Sequence, residues 1–99
     1  MEMSVEQEGP VSRMTVVGEL TIYAAAECKS QILDAVERGE SVEVVAEGIT
    51  ELDTAGVQLL LLAKRMAVKA GKSFRVVSPS AVVEDVLRTL ALSHTLESV

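Results

Sequence analysis

The chain predicts an α/β fold: a mixed β-sheet built in the order ββαβαβα, with right-handed crossovers and helices packed mainly on one face. Three observations carry this. The N-terminus alternates apolar and polar residues with period two, and three later segments repeat apolar residues at helical spacing. Short β-favouring runs bounded by turn residues lie between those segments.

Met1, Met3 and Val5 alternate with Glu2, Ser4 and Glu6, as in a half-exposed strand, and Gly9-Pro10 supplies a turn to a hairpin partner. That partner runs from Val11 to Leu20, with Gly18-Glu19 marking its end or a bulge. From Ala24 to Arg38 the residues Ala25, Cys28, Ile32, Ala35 and Val36 recur on one helix face, and Gly39 is the stop. Ser41 to Ala46 is too short for a helix and apolar enough for a central strand. A second helix runs from about Ala55 to Ala70, ended by Lys69 and Gly71. Phe74 to Val77 is a strand, and Ser78-Pro79 opens the last helix, with Ser as cap and Pro in the first turn. Val82, Val83, Val86, Leu87 and Leu90 form its apolar face, and Leu92 to Val99 is a tail that docks or frays.

Residues 1–99 fit one domain, with 48% apolar residues to build its core. Tyr23 and Phe74 are the only aromatic residues, so stacking platforms for bases or sugars are absent. The formal net charge of −6 has the wrong sign for counterion-release binding to nucleic acid or for an anionic membrane surface. The N-terminus carries neither a basic region nor an apolar signal core, which predicts a cytoplasmic protein with no direct membrane insertion. Cys28 stands alone, so neither an internal disulfide nor a thiolate metal cluster can form, and its apolar helix face predicts a buried, inert thiol. No cofactor or metal is expected.

The most informative stretch is Leu52-Asp53-Thr54-Ala55-Gly56, followed by the apolar run Val57 to Ala63. It sets a hydroxyl at the start of a helix, where unpaired N–H groups and the positive end of the macrodipole tolerate an anion. A phosphate on Thr54 would add about −1.5 to −2 charges, enough to reject an apolar or acidic partner or to recruit a basic one. Asp53 or Thr54 also suits an N-cap, and the two roles are compatible. On the helix that follows, Leu59, Leu60, Ala63, Met66, Ala67 and Ala70 make a core-facing arc. Val57, Leu61 and Val68 fall in a separate stripe flanked by Gln58, Lys64 and Arg65. Either that stripe is an exposed docking ridge or another element covers it.

An enzyme is not expected. The single histidine, His94, lies in the tail, and no Ser-His-Asp set can be assembled around Thr54. Gly48 and Gly56 lack the spacing and lysine of a phosphate-cradling loop.

These residues resemble the STAS domains, named for sulfate transporters and anti-sigma-factor antagonists. Gly18-Glu19-Leu20 followed by Ala26-Glu27 is similar to the family's second strand and first helix. Gly48 through Gly56 is similar to its third strand and phosphorylation loop, here Asp53, Thr54, Ala55 and Gly56, and Val76 to Ser80 with Val83 and Leu87 to its fourth strand and closing helix. The resemblance implies a bacterial partner switch in signalling and transcription regulation. Unphosphorylated, the domain would bind a serine/threonine kinase or anti-sigma factor; phosphorylated at Thr54, it would let go, and a phosphatase would restore binding. Another branch with the same loop serves as the cytoplasmic subunit of a phospholipid ABC transporter and binds its ATPase. Two usually acidic family positions are here Thr21 and Val45.

Overall fold

The computed structural model describes residues 1–98; Val99, the end of the predicted tail, lies outside them. The elements are β1 (Glu2–Glu8), β2 (Val11–Leu20), α1 (Ile22–Arg38), β3 (Ser41–Leu52), α2 (Thr54–Lys69), β4 (Ser73–Val77), α3 (Ala81–Thr89) and α4 (Ser93–Glu97). The predicted order is the observed one, with a short final helix added.

The sheet has strands in the order β1-β2-β3-β4. β1 and β2 form the antiparallel hairpin that Gly9-Pro10 closes, with Glu8 opposite Val11, while β2 with β3 and β3 with β4 run parallel. Parallel neighbours placed in sequence order, joined by right-handed crossovers, throw α1 and α2 onto the same face. The side chains record this. Met14 and Val16, Val42, Val44 and Ala46, and Phe74 and Val76 are buried beneath the helices, whereas the alternate residues Arg13, Thr15, Glu43, Val45, Arg75 and Val77 remain partly exposed on the other face.

The uncovered face carries an alternating row of charges. Arg13 donates to Glu8 at 2.9 Å and to Glu43 at 3.2 Å, and Arg75 donates to the second oxygen of Glu43 at 2.8 Å. Arg75 and Arg13 hold the Glu43 carboxyl below its ordinary range.

Three local expectations need correction. Strand β3 continues to Leu52, well beyond Ala46, because Gly48 pairs with Val17 in the ladder instead of ending it. A Cβ on Gly48 would stand 2.9 Å from the Val17 side chain, so the glycine makes room for its neighbour. Helix α1 begins at Ile22, two residues before Ala24. Helix α3 is capped by Ser80 instead of Ser78; the Ser80 hydroxyl accepts from the Val83 amide at 3.3 Å and donates to the Ile49 carbonyl at 2.7 Å, tying α3 to β3. Ser78, at φ 47, lies in the left-handed region before Pro79 and cannot be the cap. Of the two readings of Gly18-Glu19, an end or a bulge, the structure has the bulge, within β2 and with Gly18 at φ +106.

The tail docks. Leu96 of α4 is fully buried among α2, β4 and α3, and Lys64 of α2 donates from Nζ to the Ser98 carbonyl at 2.6 Å. This overturns part of the helix-face reading. Val57, assigned to an exposed stripe, is buried, Leu61 is half-buried against the core, and Met66 and Ala70, assigned to the core, are exposed. The core-facing arc of α2 is rotated toward the flank that α4 covers, and centres on Gly56, Leu60, Ala63 and Ala67.

Candidate functional site

The carboxyl ends of parallel strands are where α/β sheets place their sites, because the βα turns and helix N-termini converge there. Here two such turns are single residues side by side. Leu20 and Leu52 are register partners at the ends of β2 and β3; Thr21 alone leads into α1, and Asp53 alone leads into α2.

The Asp53 carboxylate serves both helices. One oxygen, Oδ1, accepts from the Gly56 amide at 3.0 Å and caps α2; the other, Oδ2, accepts from the Ile22 amide at 2.8 Å, the first residue of α1. Thr21, at the cap position of α1, makes no side-chain capping bond, and the first turn of α1 contains no acidic residue. Asp53 is therefore the anion at both positive helix ends. These amide bonds, Gly56 foremost and Ile22 next, hold its carboxyl below the ordinary aspartate range.

Gly56 is there because of close approach. A Cβ at this position would lie 2.3 Å from the Leu20 carbonyl oxygen and 2.8 Å from the Leu52 side chain, so only glycine lets the start of α2 pack onto the end of β2. That approach brings Asp53 within reach of Ile22.

Thr54 is the first residue of α2 and is exposed. Two clefts meet beside it along Leu52 and Asp53. One, of about 590 Å³, is lined by Glu19, Thr21, Tyr23, Thr50, Glu51 and Val82; the other, of about 390 Å³, runs past Thr54 to Asp85, Val86, Thr89 and Leu90 of α3. Apolar side chains stand out around them. Ile22 is 64% exposed, Tyr23 92%, Val82 39% and Leu90 49%. Glu19 and Glu51, register partners on β2 and β3, both line the first cleft, and the Glu19 contact raises the Glu51 carboxyl above its ordinary range.

Of the predicted site residues, Asp53, Thr54, Ala55 and Gly56 form one turn. Gln58, Arg65 and Val68 are exposed on α2, Leu61 and Lys64 are half-buried, and Val57 belongs to the core. The residues missed are Ile22 and Tyr23 at the start of α1, and Val82 and Leu90 on α3. Ile22 and Tyr23 could have been flagged as two large apolar residues following Thr21 where an amphipathic helix would bury neither. Thr21 lines the first cleft, whereas Val45 lies on the uncovered sheet face between Thr15 and Val77, away from the turn. Cys28 is fully buried, and burial pushes its thiol up to about 11.

A family model described as "Mlab, STAS domain" matches residues 3–98. The chain belongs to the STAS domain family. Its fold is similar to that of the anti-sigma factor antagonist SpoIIAA in its unphosphorylated form, with a TM-score of 0.82 and 19% identity over 99% of this chain and 89% of that one. The phosphorylated form of Bacillus SpoIIAA superposes with a TM-score of 0.76 and 18% identity, covering 99% of this chain and 92% of the other. An anti-sigma factor antagonist from Mycobacterium paratuberculosis gives 0.86 and 20%, covering 96% and 81%. No curated protein is significantly similar in sequence. Among the described residues no helix is long and apolar enough to cross a membrane, and no cluster of three or more potential metal ligands occurs.

Proposed function

We propose that this STAS domain is a phosphorylation-controlled, non-enzymatic protein-binding regulator of the anti-sigma-factor-antagonist kind. With Thr54 unmodified, it binds a kinase or anti-sigma-type protein through the surface around the start of α2. A kinase transfers the terminal phosphoryl group of ATP to Thr54 Oγ1; the hydroxyl proton leaves, ADP is released, and the surface no longer binds. Hydrolysis of the phosphoester by a phosphatase returns the hydroxyl and releases inorganic phosphate.

The observation that carries this reading is the placement of Thr54, exposed at a helix start in the cleft it shares with Leu90, next to the cleft that Tyr23 and Val82 line and one residue from Asp53, which holds Ile22. An apolar rim around a switchable hydroxyl suits an interface whose centre must be desolvated on binding, and a dianion there cannot be desolvated cheaply. The docking residues of this proposal are Gln58, Arg65 and Val68, exposed on α2, together with that rim; Val57, Leu61 and Lys64, held by the core and by the tail, are not among them. The test is direct. Incubated with its kinase and ATP, the protein should gain one phosphate by intact mass, and Thr54→Ala should gain none.

A second reading follows from the resemblance of the Asp53–Gly56 loop to the transporter branch of the family. As the STAS subunit of a phospholipid ABC transporter, the chain would offer the same surface to an ATPase. Pull-down of a kinase-type partner or of an ABC ATPase with purified candidates separates the two.

A further inference from the structure

Helix α1 has no cap of its own. Its first amide, at Ile22, is held by a carboxylate from a residue 31 positions later, and the same carboxylate caps the helix that starts with Thr54. The two halves of the exposed rim, the Ile22–Tyr23 start of α1 and the Thr54 turn of α2, are thus joined through one side chain.

The charges around Thr54 bear on that joint. Asp53 precedes it and Asp85 lines the same cleft, and neither Lys nor Arg is among the cleft's lining residues. A phosphate on Thr54 would have no cationic partner in that cleft. Its favourable partners are the amides of the first turn of α2, among them the Gly56 amide that Asp53 now occupies.

We propose that Asp53 is the strut through which an anion on Thr54 reshapes the docking surface. The anion competes for the first-turn amides of α2 and repels the Asp53 carboxylate, which withdraws from Gly56 and Ile22 together. The start of α1, carrying the exposed Ile22 and Tyr23, is then released. This rests on the Thr54 switch proposed above and extends it: the modification changes the shape of the partner surface as well as its charge. Asp53 is a positioning residue in this scheme.

Amide NMR on the whole protein tests it. In the unmodified chain the Ile22 and Gly56 amide protons should titrate together, with one midpoint below 3.8, because both report the Asp53 carboxylate. In Asp53→Asn the side-chain oxygen can still accept from Gly56, whereas the amide group cannot accept from Ile22. Ile22 exchange should then quicken by about tenfold, the factor expected for one lost hydrogen bond, with Gly56 unchanged. Thr54→Glu or phosphorylation should abolish the titration of the Ile22 amide and quicken its exchange similarly, with no further effect in the Asp53→Asn background. An Ile22 amide untouched by Asp53→Asn would overturn the strut, and one touched by Asp53→Asn but untouched by phosphorylation would overturn the relay. Loss of partner binding on phosphorylation with an unmoved Ile22 amide would leave the switch standing and refute the strut; a moved amide with unchanged binding would do the reverse.

Discussion

Gly56 is the residue on which the site's geometry turns. Its replacement by alanine forces a methyl group toward the Leu20 carbonyl, 2.3 Å from the Cβ position, and the helix must back away. Gly56→Ala should destabilise the protein by about 1–3 kcal/mol or more in urea unfolding, beyond any helix-propensity gain from alanine. Asp53 adds a pH dependence whose sign follows from its depressed folded pKa. The stability it confers is present above its unfolded value, near 3.8, and is lost as pH falls through the lower folded value. Urea melts of Asp53→Asn and the parent protein should therefore differ at pH 6 and converge as the pH falls through the folded value. Cys28, fully buried with its thiol pushed up to about 11, should resist a disulfide reagent at pH 8 until the protein is unfolded. The hydroxyl at a helix start and the capping aspartate are legible as local pattern. The need for glycine at position 56 and the second bond of Asp53 are not, because the Leu20 carbonyl and the Ile22 amide are brought there by tertiary packing of residues distant in sequence.

The same division holds between elements. The hairpin, the parallel strands and the main helices follow from alternation, β-branched runs and helical spacing. Helix α2 shows where local periodicity stops: its wheel has apolar residues over more than one face, and the choice between a ridge and a covered flank depends on what lies alongside. What lies alongside is α4. Only five residues long, it has no sequence pattern strong enough to announce a helix, and it is placed by burial of Leu96 and by the Lys64 bond to Ser98. Leu96→Ala should cost about 2–5 kcal/mol, measured by thermal or urea unfolding, and a surface-like cost near zero would mean that the tail is not part of the core. The turn between α3 and α4 offers the opposite change. Ala91 sits at φ 58 while the Leu92 amide bonds to the Leu87 carbonyl at 2.7 Å, the arrangement in which helix ends favour glycine. Ala91→Gly should stabilise the protein by about 1 kcal/mol in the same melts.

At the scale of the whole molecule, strand order decides what the surface can be. Sequential parallel strands put α1 and α2 on one face, leave a charge-paired sheet on the other, and bring two one-residue turns together at one end. The clefts, the exposed Tyr23 and the Thr54 hydroxyl all lie at that end, although their residues are spread from Glu19 to Leu90 in the chain. Sequence pattern located the hydroxyl but could not assemble its surroundings. Tyr23→Ala illustrates the consequence: with a side chain 92% exposed, its loss should leave the melting temperature nearly unchanged while weakening partner binding. The most direct test of the account is calorimetric titration of the purified protein partner with the unphosphorylated and Thr54-phosphorylated protein. Binding should weaken by about 1–3 kcal/mol on phosphorylation, with Thr54→Glu following the phosphorylated form and Thr54→Ala the unmodified one. Equal affinity for the two forms would contradict it.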